Sequence, residues 1–138
     1  MKRILLAAAL LASPAAALAQ GPLELAPGYR AMSMPFALHQ LRFVEAGDRI
    51  DILTTFEAEF AQKTGKLKED VTATIMQNVR VLSVDRKEGI IQLEFNPNEA
   101  QYAALFAAKD KTLWLLKRGA GDKDMKPMEM ASARKLFR

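Results

Sequence analysis

Ile75-Met76-Gln77-Asn78-Val79-Arg80-Val81-Leu82-Ser83-Val84-Asp85, then Arg86-Lys87-Glu88-Gly89, then Ile90-Ile91-Gln92-Leu93-Glu94-Phe95, carries the clearest fold signal in the chain. Its two arms are rich in β-branched and aliphatic residues, which favour a pleated, half-buried surface. The charged tetrapeptide between them ends in glycine, as a hairpin connection does. The second arm alternates, so Ile91, Leu93 and Phe95 read as inward, and Gln92 and Glu94 as outward. Asn78 interrupts the first arm, and residues 71–77 and 79–85 read as two strands.

Toward the C-terminus, Asn96-Pro97-Asn98-Glu99 is a helix start with a mechanism. Asn96 can accept from the free amides, Pro97 suits the first helical position, and Glu99 stands three residues after the cap. The spacing predicts one principal helix over about 97–108, with Tyr102, Leu105 and Phe106 on one face and alanines allowing close approach to a sheet. Residues 112–116 read as the last strand and contain the sole tryptophan, Trp114. Residues 119–138 read as a basic, methionine-containing flexible tail.

Toward the N-terminus, residues 57–70 are too charged for a core. They read as an exposed hairpin excursion that admits a frayed helix at its start. Ile50, Ile52 and Phe56 recur at period two and predict a strand over 50–56. Ala46-Gly47-Asp48 is a turn, residues 37–44 are undecided by pattern, and residues 29–36 read as a short strand stopped by Pro35. Gly21-Pro22 through Pro27-Gly28 is loop-like. The sum is an α+β fold, a mainly antiparallel β-sheet or small barrel with one principal helix.

The first nineteen residues read differently from the rest. Lys2 and Arg3 precede an apolar run from Ile4 to Leu11, and Ala17-Leu18-Ala19 offers small residues where a signal peptidase requires them. Residues 1–19 therefore read as a cleaved signal peptide and residues 20–118 as one domain. The expected mature chain has no transmembrane segment and is exported. The whole chain carries a net charge of +4, but Lys2 and Arg3 belong to the signal. Residues 20–138 hold 18 basic and 16 acidic side chains, with the basic excess from Lys117 onward. No basic stripe interleaved with aromatics runs through the body, which argues against nucleic acid as a partner. Cysteine is absent, which excludes disulfides, thiol catalysis and thiolate metal sites.

Candidate chemistry is sparse. Ser33, His39 and Asp48 contain the residue types of a hydrolytic triad, but no nucleophile elbow surrounds Ser33. Asp48 and Asp51 are a carboxylate pair of the kind glycan cleavage uses, although turn and strand duty accounts for both. Asp51 also has Arg80 as a prospective ion-pair partner. Met125, Met128 and Met130 are soft thioethers, and copper(I) is the metal they would take. Methionine also packs adaptably against partner surfaces. No catalytic residue and no cofactor is assigned.

Four segments together resemble a known family. They are Gly28-Tyr29-Arg30-Ala31-Met32-Ser33-Met34; Val44-Glu45-Ala46-Gly47-Asp48-Arg49-Ile50-Asp51-Ile52-Leu53; the Ile75–Asp85 arm with Gln77-Asn78-Val79-Arg80; and the run from Ile91 through Asn96-Pro97-Asn98-Glu99 to Leu113-Trp114-Leu115-Leu116-Lys117-Arg118. In order and spacing the chain resembles the CpaB/RcpC family of Flp (tight-adherence) pilus assembly proteins. Ala46 stands where that family has proline, and only the end of the family's SAF-type domain fits before Leu41.

The resemblance implies a non-enzymatic periplasmic component of pilus assembly, peripheral to the outer membrane, that binds envelope proteins such as the secretin. It also implies that Gly28, Arg30, Gly47, Asp48, Arg49, Asp51, Gln77, Asn78, Val79 and Arg80 are motif residues with structural duties. The alternatives are a periplasmic copper carrier, a glycan-binding module, and a flagellar ring chaperone with a related domain.

Overall fold

The computed structural model describes residues 23–109 and 112–137, so the expected signal peptide lies outside the described residues. Six strands and two helices run in the order β1 (Arg30–Pro35), β2 (Arg49–Gln62), β3 (Gly65–Asp85), β4 (Ile90–Phe95), α1 (Pro97–Ala108), β5 (Thr112–Lys117), β6 (Ala131–Ser132) and α2 (Ala133–Leu136). The strands pair antiparallel in the order β1-β4-β3-β2-β5, and β6 adds to β3. The sheet stays open, with β1 and β5 at its margins, so of the two sequence alternatives the sheet holds and the barrel does not.

The hairpin between β3 and β4 forms as read. Asp85 Oδ1 accepts from the backbone N–H groups of Lys87 and Glu88, both at 3.0 Å, and shapes the turn. Gly89 closes it at φ +70°, where a Cβ would stand 3.2 Å from the Phe36 carbonyl oxygen. That carbonyl and the turn are already close, because Phe36 N donates to Gly89 O at 3.0 Å. Glycine is required there by both backbone angle and space.

The two strands read on either side of Asn78 are one strand of 21 residues. Asn78 sits at φ 58° in a β-bulge, where the register passes from Ile50↔Val79 to Ile52↔Met76. Asparagine tolerates that angle better than most residues, so the chain bends at Asn78 without ending the ladder. The excursion over 57–70 is a hairpin, as expected, but it has no helix. β2 and β3 continue as a two-stranded arm to the turn at Lys63-Thr64, stitched outside by Lys66–Glu59 (2.6 Å) and Lys68–Glu57 (3.1 Å).

The core lies on one face of the sheet. Met34, Ile50, Ile52, Met76, Val79, Val81, Ile91, Leu93 and Phe95 are buried there. Residues 37–44, undecided by pattern, form successive turns that place Leu41 and Val44 in this core. Arg86 holds them by donating to the carbonyls of Leu41 (3.3 Å) and Val44 (2.7 Å).

Helix α1 starts as predicted, with the Asn96 and Glu99 side chains each accepting from the other's backbone N–H at 2.9 Å. Its contact face differs from the expectation. Ala103 is fully buried, Ala100 packs beside the core, and Tyr102 and Leu105 face outward at 60% and 50% exposure. Alanine lets the helix backbone approach the sheet, which leaves no room for large side chains between them.

No helix of the described residues is long and apolar enough to cross a membrane.

Candidate interaction surface

The bulge at Asn78 gathers residues that are distant in sequence. Asp51, on β2, faces it across the ladder. Its Oδ1 accepts from Asn78 N at 2.9 Å and from Arg118 Nη1 at 3.1 Å. Arg49 Nη1 donates to Asn78 O at 3.1 Å, so both sides of the bulged peptide are held from β2. Arg118, just past β5, has a side chain only 6% exposed. Its Nη2 donates to Asp122 Oδ1 at 3.0 Å and to the Asp124 carbonyl. The hydrogen bond from Arg118 holds the Asp122 carboxyl below its ordinary range, and the same bond raises the Arg118 guanidinium further. Both groups stay ionised through the neutral range, so the pair is a fixed clamp and not a proton carrier.

Asp51 and Arg80 do not pair with one another. Arg80 Nη1 reaches Glu94 Oε1 at 3.4 Å and Glu24 O at 3.2 Å. Glu94, read as outward, does point to the face away from the core, yet it is buried. Ala26 N donates to its Oε1 at 2.8 Å, because residues 23–29 cross that face. Arg49, Gln77, Asn78, Val79, Arg80, Glu94 and Tyr29 line a polar cleft of about 330 Å³ beside the bulge. Gly47 N donates to Val81 O at 2.9 Å in a turn at φ +94°. Asp48 Oδ2 accepts from Glu45 N (2.7 Å) and pairs with Lys117 Nζ (2.9 Å). Gly28 turns into β1, and Arg30 donates to the adjacent Tyr29 carbonyl.

The alternative chemistries are not assembled. His39 is exposed, and no hydrogen bond joins it to Ser33 or Asp48 among the described residues. Asp48 and Asp51 are each engaged by a cation and a backbone amide, in turn and strand duty. Met125 lines the cleft beside Tyr29 and Asn78, whereas Met130 lines a separate hollow with Ser132 and Lys135. The three exposed methionines therefore share no common hollow.

The segment read as a loose tail runs back along β3. Gln77 forms a two-point amide pair with the Lys126 backbone, donating to its carbonyl at 2.6 Å and accepting its N–H at 3.0 Å. Further on, β6 pairs with Val71 and Thr72. Nothing in composition signalled this, because the segment contributes no apolar periodicity.

The sheet margins differ in how they are finished. On β5, the Gln40 side chain donates to Leu113 O (3.0 Å) and accepts from Leu115 N (2.7 Å), filling the outer edge. On β3 the C-terminal segment does the same through Gln77 and β6. On β1, only β4 supplies strand pairing among the described residues. No sequence signal marks Gln40 for finishing an edge, since a lone glutamine in an undecided segment has many uses.

Comparison with curated proteins and with solved structures gives no match. A family profile does match: Flp pilus assembly protein RcpC/CpaB, over residues 23–115. That span contains β1 through most of β5, the bulge and every motif residue gathered around it. The chain belongs to the RcpC/CpaB family of Flp pilus assembly proteins.

Proposed function

We propose that the chain is a non-catalytic component of Flp pilus assembly that is exported to the periplasm, lies peripheral to the outer membrane, and works by binding another envelope protein, the secretin being the foremost candidate. Residues 1–19 act as the signal peptide, and residues 20–118 form the binding domain. The observation that carries this reading is the contrast between edges. β5 and β3 are finished by amide side chains and by the chain's own segment, while β1 keeps one side unpaired among the described residues. An unpaired edge is a template for an added strand, and proteins usually block edges that have no partner.

The motif residues act as scaffold in this reading. Asp51, Arg49 and Asn78 fix the bend of β3, and Gly47 and Asp48 fix the turn into β2. Neither a copper site nor a cleft with two free carboxylates draws support from the arrangement.

The test is a lysine placed on the β1 edge at Ala31 or Ser33, both exposed. Lysine on an edge strand disfavours pairing with a further strand. The expected result is an unchanged melting temperature with reduced piliation in a strain that depends on the variant. Full piliation with both substitutions present would remove β1 as the binding edge.

A further inference from the structure

The β3 edge from Val71 to Asn78 is finished in an unusual way. Its occupant is residues 122–137, which contribute nothing to the core; within 119–137 every residue is exposed except Ser132, which is half-buried. A two-residue strand pair, side-chain hydrogen bonds and ion pairs hold the segment. Gln77 grips the Lys126 peptide from both sides. Val71 and Thr72 pair with Ser132 and Ala131. Arg134 then reaches the arm, with Nη2 3.3 Å from Glu69 Oε1 and its guanidinium 5.9 Å from the centre of the Phe60 ring. Glu69 Oε1 is buried without a hydrogen bond, so the edge presents a carboxylate suited to a guanidinium. The matched family span ends at residue 115, so the whole segment lies beyond it.

We propose that this edge takes the C-terminal segment of a second copy of the chain, so that neighbouring copies exchange residues 122–137. The inference stands apart from the choice of pilus partner. A neighbour's segment has the same sequence and makes the same bonds, so exchange costs only the connector turn, in which Asp122 N donates to Gly119 O at 3.1 Å. What favours the chain's own segment is the short connector through Gly119-Ala120-Gly121. A short flexible link sets an effective concentration on the order of millimolar. Copies held side by side in an assembly reach that range, and their segments then compete on equal terms.

The absence of cysteine from the chain makes the test direct. One full chain carries Thr72→Cys and another carries Ala131→Cys, positions that are register partners. The two are mixed and oxidised over a range of concentrations, and disulfide-linked dimers are identified by mass spectrometry. The proposal expects dimers joining positions 72 and 131 that rise with concentration, about tenfold above a control in which Lys63→Cys replaces Thr72→Cys. A double variant, Thr72→Cys with Ala131→Cys in one chain, establishes that the pair can bond. If it closes internally while the mixture gives no more dimer than the Lys63 control, exchange is overturned. If the double variant does not close, a photo-cross-linker at position 131, used with mixed isotope-labelled and unlabelled chains, decides. Labelled–unlabelled links to β3 support exchange, and links within single chains alone overturn it.

Discussion

Asp51 ties together strands and segments that lie far apart in sequence. It holds the Asn78 amide across the bulge and the Arg118 guanidinium beyond β5, and Arg118 in turn holds Asp122 and Asp124. Asp51→Ala removes an acceptor from a backbone amide and a counter-charge from a side chain 6% exposed. The expected outcome is a lower melting temperature and earlier proteolysis in residues 119–137, read by limited digestion; Asp51→Asn keeps an acceptor and shows a smaller loss.

Asp122 gives this clamp its pH dependence. Its carboxyl is held below the ordinary 3.8 by Arg118. A lowered value means that the contribution is complete above 3.8 and is lost as pH falls through the lowered value. Resistance of the C-terminal segment to digestion is thus expected to be level from neutral pH down to that ordinary value and to fall below it. An Asp122→Asn chain should show weak anchoring at every pH. The types of these residues are plain in the sequence, but their convergence is not. It depends on one extra residue in β3, and a one-residue change of register moves every side chain to the other face.

Among the elements, local chemistry is the readable part. The hairpin around Arg86–Gly89 and the cap of α1 form where turn and capping residues say they should. Asn96→Ala should cost about 1 kcal/mol in a denaturant titration, since it removes the side-chain acceptor of the Asn98 and Glu99 amides. Leu93→Ala, at a fully buried position of β4, should cost about 2–5 kcal/mol in the same measurement. Gly89→Ala should also destabilise, because the new Cβ meets the Phe36 carbonyl at a positive φ. The faces of elements are harder to read. Tyr102 and Leu105 look like the buried face of α1 by hydrophobicity, but Ala103 is the buried residue and Ala100 packs beside the core. Glu94 looks exposed by alternation, but residues 23–29 cover it. In both cases the deciding fact is what lies opposite, which period and propensity do not carry.

For the molecule as a whole, the α+β class and the antiparallel sheet are legible from alternation. Whether that sheet closes is not. Closure depends on how β1 and β5 are finished, and Gln40 finishes β5 by hydrogen bonds to Leu113 and Leu115, which lie 73 and 75 residues further along the chain. The course of residues 119–137 is equally hidden, since its hold on β3 comes from backbone groups and single polar contacts. Among the described residues β1 has strand pairing on one side only, and it lies inside the span shared with the RcpC/CpaB family.

Binding of an envelope partner at β1 is best tested by cross-linked co-purification of the tagged full chain from envelope fractions of a piliating strain, read by mass spectrometry. The expected result is recovery of the secretin or another Flp pilus assembly protein, with cross-links at or beside β1, and loss of that recovery with Ala31→Lys and Ser33→Lys. Recovery of the chain alone, or unchanged recovery with the edge substituted, would contradict binding through this edge.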